Sequence, residues 1–367
     1  MKIIKGTITT VAMIANLLFA CMLIVASYAS WVPPTLFRIP ALFGLVFPIV
    51  LFCNLFFLFF WAFYRWRYIW VQLFTFLICA PAIWRYMPLN FTDENDTGAP
   101  GFTLVSYNAY NFLDQGRRVY DRNRTVQYIL ESGAEVVCLQ EASDIPAKGM
   151  DRLKVSSEQA VRLRQLYPYR LTYGIRLAVY SKYPIRIVWK KSFSASSDAC
   201  AYRLTVDGHP LTIVNCHLES IGLTTTDKEL YLNMMDSPQK GMLNDVKQNI
   251  VRKLSQAFYA RAKQAQAIAD FVEKQEGDMI VCGDFNDTPQ SYAYRKIKDG
   301  MTDAFVKRGT GPGITYNANR FWVRIDHVFY RGGLEAETAR IRRLRSSDHY
   351  PVWVRFKWKE QQQVTHK

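Results

Sequence analysis

The sequence predicts an α/β domain with a two-layer sheet core flanked by helices, carried behind an N-terminal membrane region of three helical spans. Three observations lead there. Of the 46 Lys+Arg and 31 Asp+Glu in 367 residues, only six basic residues (Lys2, Lys5, Arg38, Arg65, Arg67, Arg85) and three acidic ones (Asp93, Glu94, Asp96) lie in the first hundred. That stretch holds three windows without any charge, 6–37, 39–64 and 68–84. Beyond it, short β-branched runs alternate with polar and helical stretches, and strands outnumber helices. The hydrophobic fraction of 50% excludes intrinsic disorder, and seven Cys in so long a chain exclude a small disulfide-stapled scaffold.

The three windows are read as spans over 7–28, 40–63 and 68–86, making residues 1–89 the membrane region. A spanning helix needs about 20 mostly apolar residues. The third window, at 17 residues, reaches that length when Arg67 and Arg85 snorkel to the interfaces. Tyr64, Trp66, Trp70, Trp84 and Tyr86 mark the window edges, where an aromatic belt belongs. A cleaved signal peptide does not account for the first window, because two more follow. Lys2, Lys5, Arg65 and Arg67 on one side against Arg38 and Arg85 on the other place the N-terminus inside and the soluble domain outside. The polar stretch 90–100 is a linker; at about 3.5 Å per residue it spans roughly 40 Å at most, which keeps the domain at the bilayer surface.

Residues 101–367 form the soluble domain, with 40 basic and 28 acidic residues and a net charge of +12. Strands are expected over 102–107, 136–140, 177–180, 211–216, 279–282, 325–330 and 352–356. Thr125–Glu131 reads as a helix stopped near Gly133. Asp245–Glu273 reads as a long amphipathic helix, with Val246, Ile250, Leu254, Ala257, Ala265, Ile268 and Val272 at three-to-four spacing. No internal repeat is visible. Cys138, Cys200, Cys216 and Cys282 sit mostly in apolar strand-like runs and read as buried free thiols.

Residues with metal and acid–base chemistry recur where the apolar strands end: Asn108, Glu141, His217, Asp284 with Asn286, Asp326 with His327, and Asp348 with His349. One polar residue at a strand end is ordinarily a turn or cap. Six such ends, holding three of the five His, argue for a single site assembled at one sheet edge.

In order, SYNAYN, EVVCLQE, LAVYSKYPI, NCHLES, GDFNDTP, RIDHVFY and SSDHYPV resemble the endonuclease/exonuclease/phosphatase superfamily, which includes neutral sphingomyelinases and inositol-polyphosphate phosphatases. The resemblance covers about 101–358 and leaves out the membrane region. It implies a four-layered α/β sandwich and Mg²⁺-dependent cleavage of a phosphate ester, with Mn²⁺ as the alternative ion. It also implies a bacterial member, for which the spans and their charge asymmetry, read above, place the chain as a multi-pass protein of the inner membrane with an extracytoplasmic catalytic domain. The chemistry can be argued beside it. Attack on an anionic ester needs a cation to neutralise developing charge and a base to prepare water. Mg²⁺ prefers oxygen donors, which makes Glu141 its ligand, with Asn108 and Asp348 at the same ion. Asp284 then orients and deprotonates the water, and Asn286 donates to a phosphate oxygen. His349 contacts the phosphate while Asp326 fixes its tautomer, and His217 supplies acid or clamps the phosphate.

Two departures narrow this. His327 stands where many relatives have Tyr and is expected to pack on the sheet. The Cys-Asp-Arg signature of the inositol phosphatases is missing from Trp322-Val323-Arg324-Ile325-Asp326. The stretch 219–249, with Leu223, Tyr231, Leu232, Met234, Met235 and Met242, reads as a packed helical insertion, with a lid or membrane-touching element as alternatives. Arg340, Arg342, Arg343 and Arg345, with Arg320 and Arg324, are expected to draw in an anionic substrate or lipid. The expected partners are therefore an anionic phosphoester and the lipid bilayer, with a head-group phosphodiester as substrate. A nuclease is the alternative, and a non-catalytic phospholigand-binding protein a further one that the water-preparing set argues against.

Overall fold

The strand and helix patterns resolve into two packed mixed sheets flanked by helices, in a computed structural model that describes residues 2–91, 101–113, 122–174, 176–222, 229, 242–318 and 321–359. The N-terminal helices are α1 (Lys2–Tyr28), α2 (Ile39–Leu45), α3 (Phe47–Tyr64) and α4 (Ile69–Tyr86). Three helical stretches, Gly6–Trp31, Phe47–Tyr64 and Trp66–Tyr86, are long and apolar enough to cross a membrane. The second window, expected as one span over 40–63, is divided at Val46. Pro48 lies in the first turn of α3 and Pro40 in that of α2. Each proline fits a first turn, and it clashes with a helix continuing through it from the N-terminal side.

The polarity of this bundle is inverted relative to a soluble one. Asn16, Asn54, Gln72 and Thr75 are buried, while Phe52, Phe56, Phe63, Phe74 and Leu77 point outward. Gln72 donates to Asn16, and Asn54 Nδ2 donates to the Phe19 carbonyl at 2.9 Å. Polar groups that find partners only inside, under an apolar exterior, suit a lipid surround.

In chain order the strands are β1 (Gly101–Asn108), β2 (Val136–Gln140), β3 (Tyr169–Tyr173), β4 (Leu177–Ser181), β5 (Ile185–Ser192), β6 (Asp198–Val206), β7 (His209–His217), β8 (Asp278–Asp284), β9 (Thr302–Asp303), β10 (Asp326–Arg331), β11 (Leu334–Ile341) and β12 (Val352–Trp358). The helices after α4 are α5 (Arg124–Glu131), α6 (Ser157–Leu166), α7 (Met242–Glu273), α8 (Tyr292–Lys298) and α9 (Ala304–Arg308). Every strand expected from the sequence forms; β3, β5, β6, β9 and β11 are additional. The helix expected over 245–273 begins earlier, at Met242. The rest of the 219–249 stretch lies largely outside the described residues, as does most of the linker.

One sheet has the order β11-β12-β1-β2-β4-β3 and the other β5-β6-β7-β8-β10-β9. The two repeat a single pattern, antiparallel throughout except for one parallel pair, β1/β2 in the first and β7/β8 in the second. Alternation along each strand sends Phe102, Leu104, Val136 and Cys138 toward Tyr202, Ile213, Ile280 and Cys282 between the sheets. Val105, Val137 and Ala178 face α5 and α6, while Val214, Val281 and Phe329 face α7 and α8. Coverage of both faces explains why the central strands read as continuous apolar runs. All seven Cys are free, and the four of this domain are buried.

Gly283 fixes how closely β7 and β8 approach. It has φ +140°, and a Cβ there would lie 1.9 Å from the Cys216 carbonyl oxygen. Only glycine permits this backbone contact, and the resulting register sets His217 beside Asp284.

The domain rests on the Trp31 and Arg85 ends of the apolar helices. Gln290 Nε2 donates to the Ala82 carbonyl at 2.7 Å, and Arg85 donates to the Gln290 side chain. Arg324 donates to the Arg85 carbonyl, and the Arg295 guanidinium lies 3.4 Å from the Trp31 ring centroid. Ala41 of α2 packs with Leu254 and Phe258 of α7. Asn90, counted with the linker, donates to the Val306 and Gly309 carbonyls at 3.0 and 2.7 Å, so the chain leaving α4 is tied to the domain at once.

Candidate active site

The strand pattern explains how residues far apart in sequence meet. Asn108 ends β1, Glu141 follows β2, His217 ends β7 and Asp284 ends β8. Asp326 opens β10 directly opposite Asp284 in the antiparallel register. Asp348 and His349 precede β12, which runs antiparallel to β1, so they arrive beside Asn108. Ser347 Oγ anchors that approach by donating to the Asn108 carbonyl at 2.9 Å.

Two of these residues have left-handed backbones, Glu141 at φ +46° and Asn286 at φ +51°. Such conformations are costly for non-glycine residues and persist where the surroundings enforce them. Both lie just beyond a strand.

Asp284 is the hub. Its Oδ2 accepts from Asn108 Nδ2 at 2.9 Å and its Oδ1 from the Asn286 amide at 2.7 Å. His217 Nε2 lies 3.5 Å and His349 Nε2 3.7 Å from Oδ2. Burial opposes its ionised form, but His349, His217 and Asn108 outweigh that and hold the carboxyl well below its ordinary range. His349 Nδ1 is 2.8 Å from Asp326 Oδ2, fixing the ring between two carboxylates. His217 Nδ1 donates to the Ser196 carbonyl at 2.8 Å, and its Nε2 is 3.5 Å from Glu141 Oε1. Burial disfavours both imidazolium ions; the neighbouring carboxylates, Asp284 and Glu141 at His217, Asp326 and Asp284 at His349, nonetheless push each pKa up to about 10. Asn286 Nδ2 donates to the Leu218 carbonyl at 2.9 Å, close to His217.

The oxygen donors fit a hard divalent cation. Glu141 keeps about a fifth of its side chain exposed, and Asp348 is raised above its ordinary pKa by burial with the Glu141 charge adding to it. Burial opposes the ionised form of Glu141, but His217 outweighs it and holds that carboxyl below its ordinary range; a cation beside the pair would relieve the repulsion that Asp348 feels. Asn108 turns its amide nitrogen toward Glu141 and Asp284, and its Oδ1 accepts from the Tyr110 amide at 3.1 Å. Its contribution to an ion is therefore limited to the remaining lone pair of Oδ1. Asp284, Asp326 and His349 also have potential ligand atoms within 4.8 Å of one another. In that group His349 Nδ1 and both Asp284 oxygens already have partners, and on the other side Glu141 Oε1 lies 3.5 Å from His217 Nε2 and 3.4 Å from Asn108 Nδ2.

His327 stands apart from this chemistry. It is buried among Phe285, Tyr294 and Phe329 and donates through Nε2 to the Asp287 carbonyl at 3.0 Å, in line with the packing reading. Burial lowers its pKa to about 4. Against about 6.5 in an unfolded chain, the unfolded state binds the extra proton between those values. Stability from this residue is thus complete above pH 6.5 and falls on the order of 3 kcal/mol as the pH drops to 4. We expect His327→Phe to flatten the decline of Tm over that range; a decline as steep as in the wild type would refute it.

Sequence reasoning passed over Ser194, Ser196 and Ser197, which donate to the Glu219 carboxylate at 2.7, 2.9 and 2.9 Å and so hold the carbonyl that orients His217. Glu219 directly after Leu218 and the serine run SFSASS were the available signal.

Fold and site together define a metal-dependent hydrolase of phosphoester bonds. The chain belongs to the Endonuclease/Exonuclease/phosphatase family, which matches residues 105–349. A domain of unknown function matches 9–86, covering most of the apolar helices. No curated protein matches the chain. Among solved structures it is similar to truncated TDP2 of Caenorhabditis elegans, at 17% identity over 70% of this chain and 97% of that one, TM-score 0.46. The human nocturnin catalytic domain aligns at 15% over 71% and 96%, TM-score 0.47. An endonuclease/exonuclease/phosphatase of Beutenbergia cavernae aligns at 16% over 70% and 72%, TM-score 0.46.

Proposed function

We propose that this protein is a membrane-anchored, Mg²⁺-dependent phosphodiesterase acting on a lipid head group, with Mn²⁺ able to replace Mg²⁺. The observation that carries the reading is the seat of the loop bearing Asp284 and Asn286. Four residues past Asn286, Gln290 is bonded to Ala82 and Arg85 in the last turns of α4. A site built directly on the ends of membrane helices meets substrates at head-group height, whereas a nuclease gains nothing from that position. The net charge of +12 over residues 101–367 favours the nuclease as the second reading.

In the proposed roles, Glu141, Asp348 and the Asn108 oxygen hold the cation. Bound there, it would neutralise charge developing on the phosphate. Asp284 orients the attacking water by accepting its hydrogen; its depressed pKa suits a fixed acceptor more than a resting proton store. His349, held by Asp326, presents an N–H to the phosphate, and His217 does so from the other side beside Asn286 Nδ2.

Substrate choice tests this reading. Full-length protein in mixed micelles with Mg²⁺ should hydrolyse a phospholipid or sphingolipid head-group phosphodiester faster than duplex DNA, RNA or inositol phosphates; preferential cleavage of nucleic acid with lipids untouched would promote the nuclease.

Orientation supports an extracytoplasmic domain in an inner membrane. Trp31, Gly44 and Arg85 all lie on the domain side. Thr9 meets Tyr64 at the far end, the end of Lys2, Lys5, Arg65 and Arg67, and positive residues mark the cytoplasmic side. A C-terminal alkaline phosphatase fusion should be active and a C-terminal green fluorescent protein fusion dark; the reverse pair would place the domain in the cytoplasm.

A further inference from the structure

Away from the catalytic cluster, a cavity of about 340 Å³ opens between the loop after α9 and the end of β11. Phe305, Thr310, Ile314, Arg340, Arg342 and Arg343 line it, and its described lining includes three arginines and no carboxylate. Behind its Phe305 wall is a further cation: the Arg324 guanidinium stands 4.7 Å from the ring centroid, with Nε and Nη1 buried and without a hydrogen-bond partner among the described residues. The acids nearby are engaged. Asp303 accepts from Tyr294 Oη at 2.7 Å and from the Phe305 and Val306 amides at 2.7 and 3.0 Å, and Glu335 pairs with Arg308 at 2.8 Å. Arg342 and Arg343 at the rim, with the Arg324 guanidinium behind the Phe305 wall, give the cavity a positive character that suits an anion.

Position says which one. Leu89, three residues beyond α4, bridges to Thr310, and the Gly311 amide donates to the Pro88 carbonyl at 2.8 Å. The cavity therefore sits where the third apolar helix leaves the interface. Its rim is shaped by Gly313, at φ +62°, where a Cβ would fall 2.4 Å from the Phe305 ring. Phe305, Ile314 and Ala339 supply an apolar side to match the basic one.

We propose that this cavity is a second, non-catalytic site that holds the phosphate of an anionic membrane lipid. The proposal rests on the reading of the helices as membrane spans, but it does not require that the bound lipid be hydrolysed. The loop lining the site continues to Thr315, whose Oγ1 accepts from the Ile325 and Asp326 amides at 3.0 and 3.1 Å, and to Tyr316, whose ring contacts His349 at 5.1 Å between centroids. Lipid bound here would thus steady the rim of the catalytic site.

The test uses full-length protein in a nonionic detergent, titrated with dioleoylphosphatidylglycerol or dioleoylphosphatidylcholine and read by native mass spectrometry, so binding is scored independently of turnover. The phosphatidylglycerol should bind at least about tenfold more tightly than the phosphatidylcholine, and the double substitution Arg342→Gln, Arg343→Gln should weaken it roughly 30-fold. The Tm of that variant should stay within a few degrees of the wild type, reporting an intact fold. Equal binding of the two lipids, or equal binding by wild type and variant, would overturn the proposal. Displacement of the lipid by an equal concentration of inorganic phosphate would also overturn it, as the site would then serve a soluble anion. Failure of lipid hydrolysis with selective binding retained would count against the catalytic reading alone.

Discussion

Asp284→Asn should lower kcat by about 10² to 10⁴ while leaving the fold intact. The amide preserves the shape and can still accept from Asn108, but it removes the negative charge that His217, His349 and Asn108 converge on. Loss of an oriented acceptor or a charge-stabilising group costs about that factor. His349→Ala should fall in the same range, with some loss of Tm, because Asp326 is buried and loses its 2.8 Å partner. Steady-state rates of a phosphodiester substrate decide the matter. Wild-type rates in both variants would remove these residues from the reaction.

Glu141→Gln should act differently, through the cation. Its side chain remains partly exposed, so the neutral isostere costs little stability, while the ion loses its principal carboxylate. Half-activation by Mg²⁺ should move at least about tenfold higher, and kcat at saturating Mg²⁺ should drop about 10²-fold or more. An unchanged Mg²⁺ dependence would assign the ion to other residues, the group of Asp284, Asp326 and His349 first.

Most of the candidate site was legible in the sequence because each of its residues flanks an apolar run, at its end or just before its start, and polar residues that border such runs several times over are hard to explain by packing. The central strands were legible for a related reason: β1, β2, β7 and β8 are covered on both faces and so are mostly apolar. The strands that escaped are of another kind. β5 and β3 lie at sheet edges with polar, half-exposed faces, and β11, as LEAETARI, reads more as a helix former than a strand. β6, as DACAYRLTV, is buried but built on Ala and Cys, which carry no strand preference. The repeated strand order of the two sheets left no sequence repeat, since only hydrophobic alternation, and not residue identity, is needed to build it. Long-range placement was equally invisible: nothing local to Gln290 announces that it bonds to Ala82, 208 residues away.

The division of the second apolar window was legible in the sequence, because Pro40 and Pro48 each lie in the first turn of a helix. Counting uncharged residues gives the length of a window but not its interruptions, and a proline whose ring clashes with the preceding turn interrupts without adding charge.

The measurement that tests the central claim most directly is metal removal and return on the full-length protein. Stripped with EDTA and transferred to chelator-free buffer, the protein should lose essentially all phosphodiester turnover while keeping its Tm within a few degrees, and Mg²⁺ should restore the rate along a saturable curve, with Mn²⁺ able to substitute. Full turnover in the stripped protein would contradict the account, because the carboxylates of Glu141 and Asp348 would then hold no ion that the reaction needs.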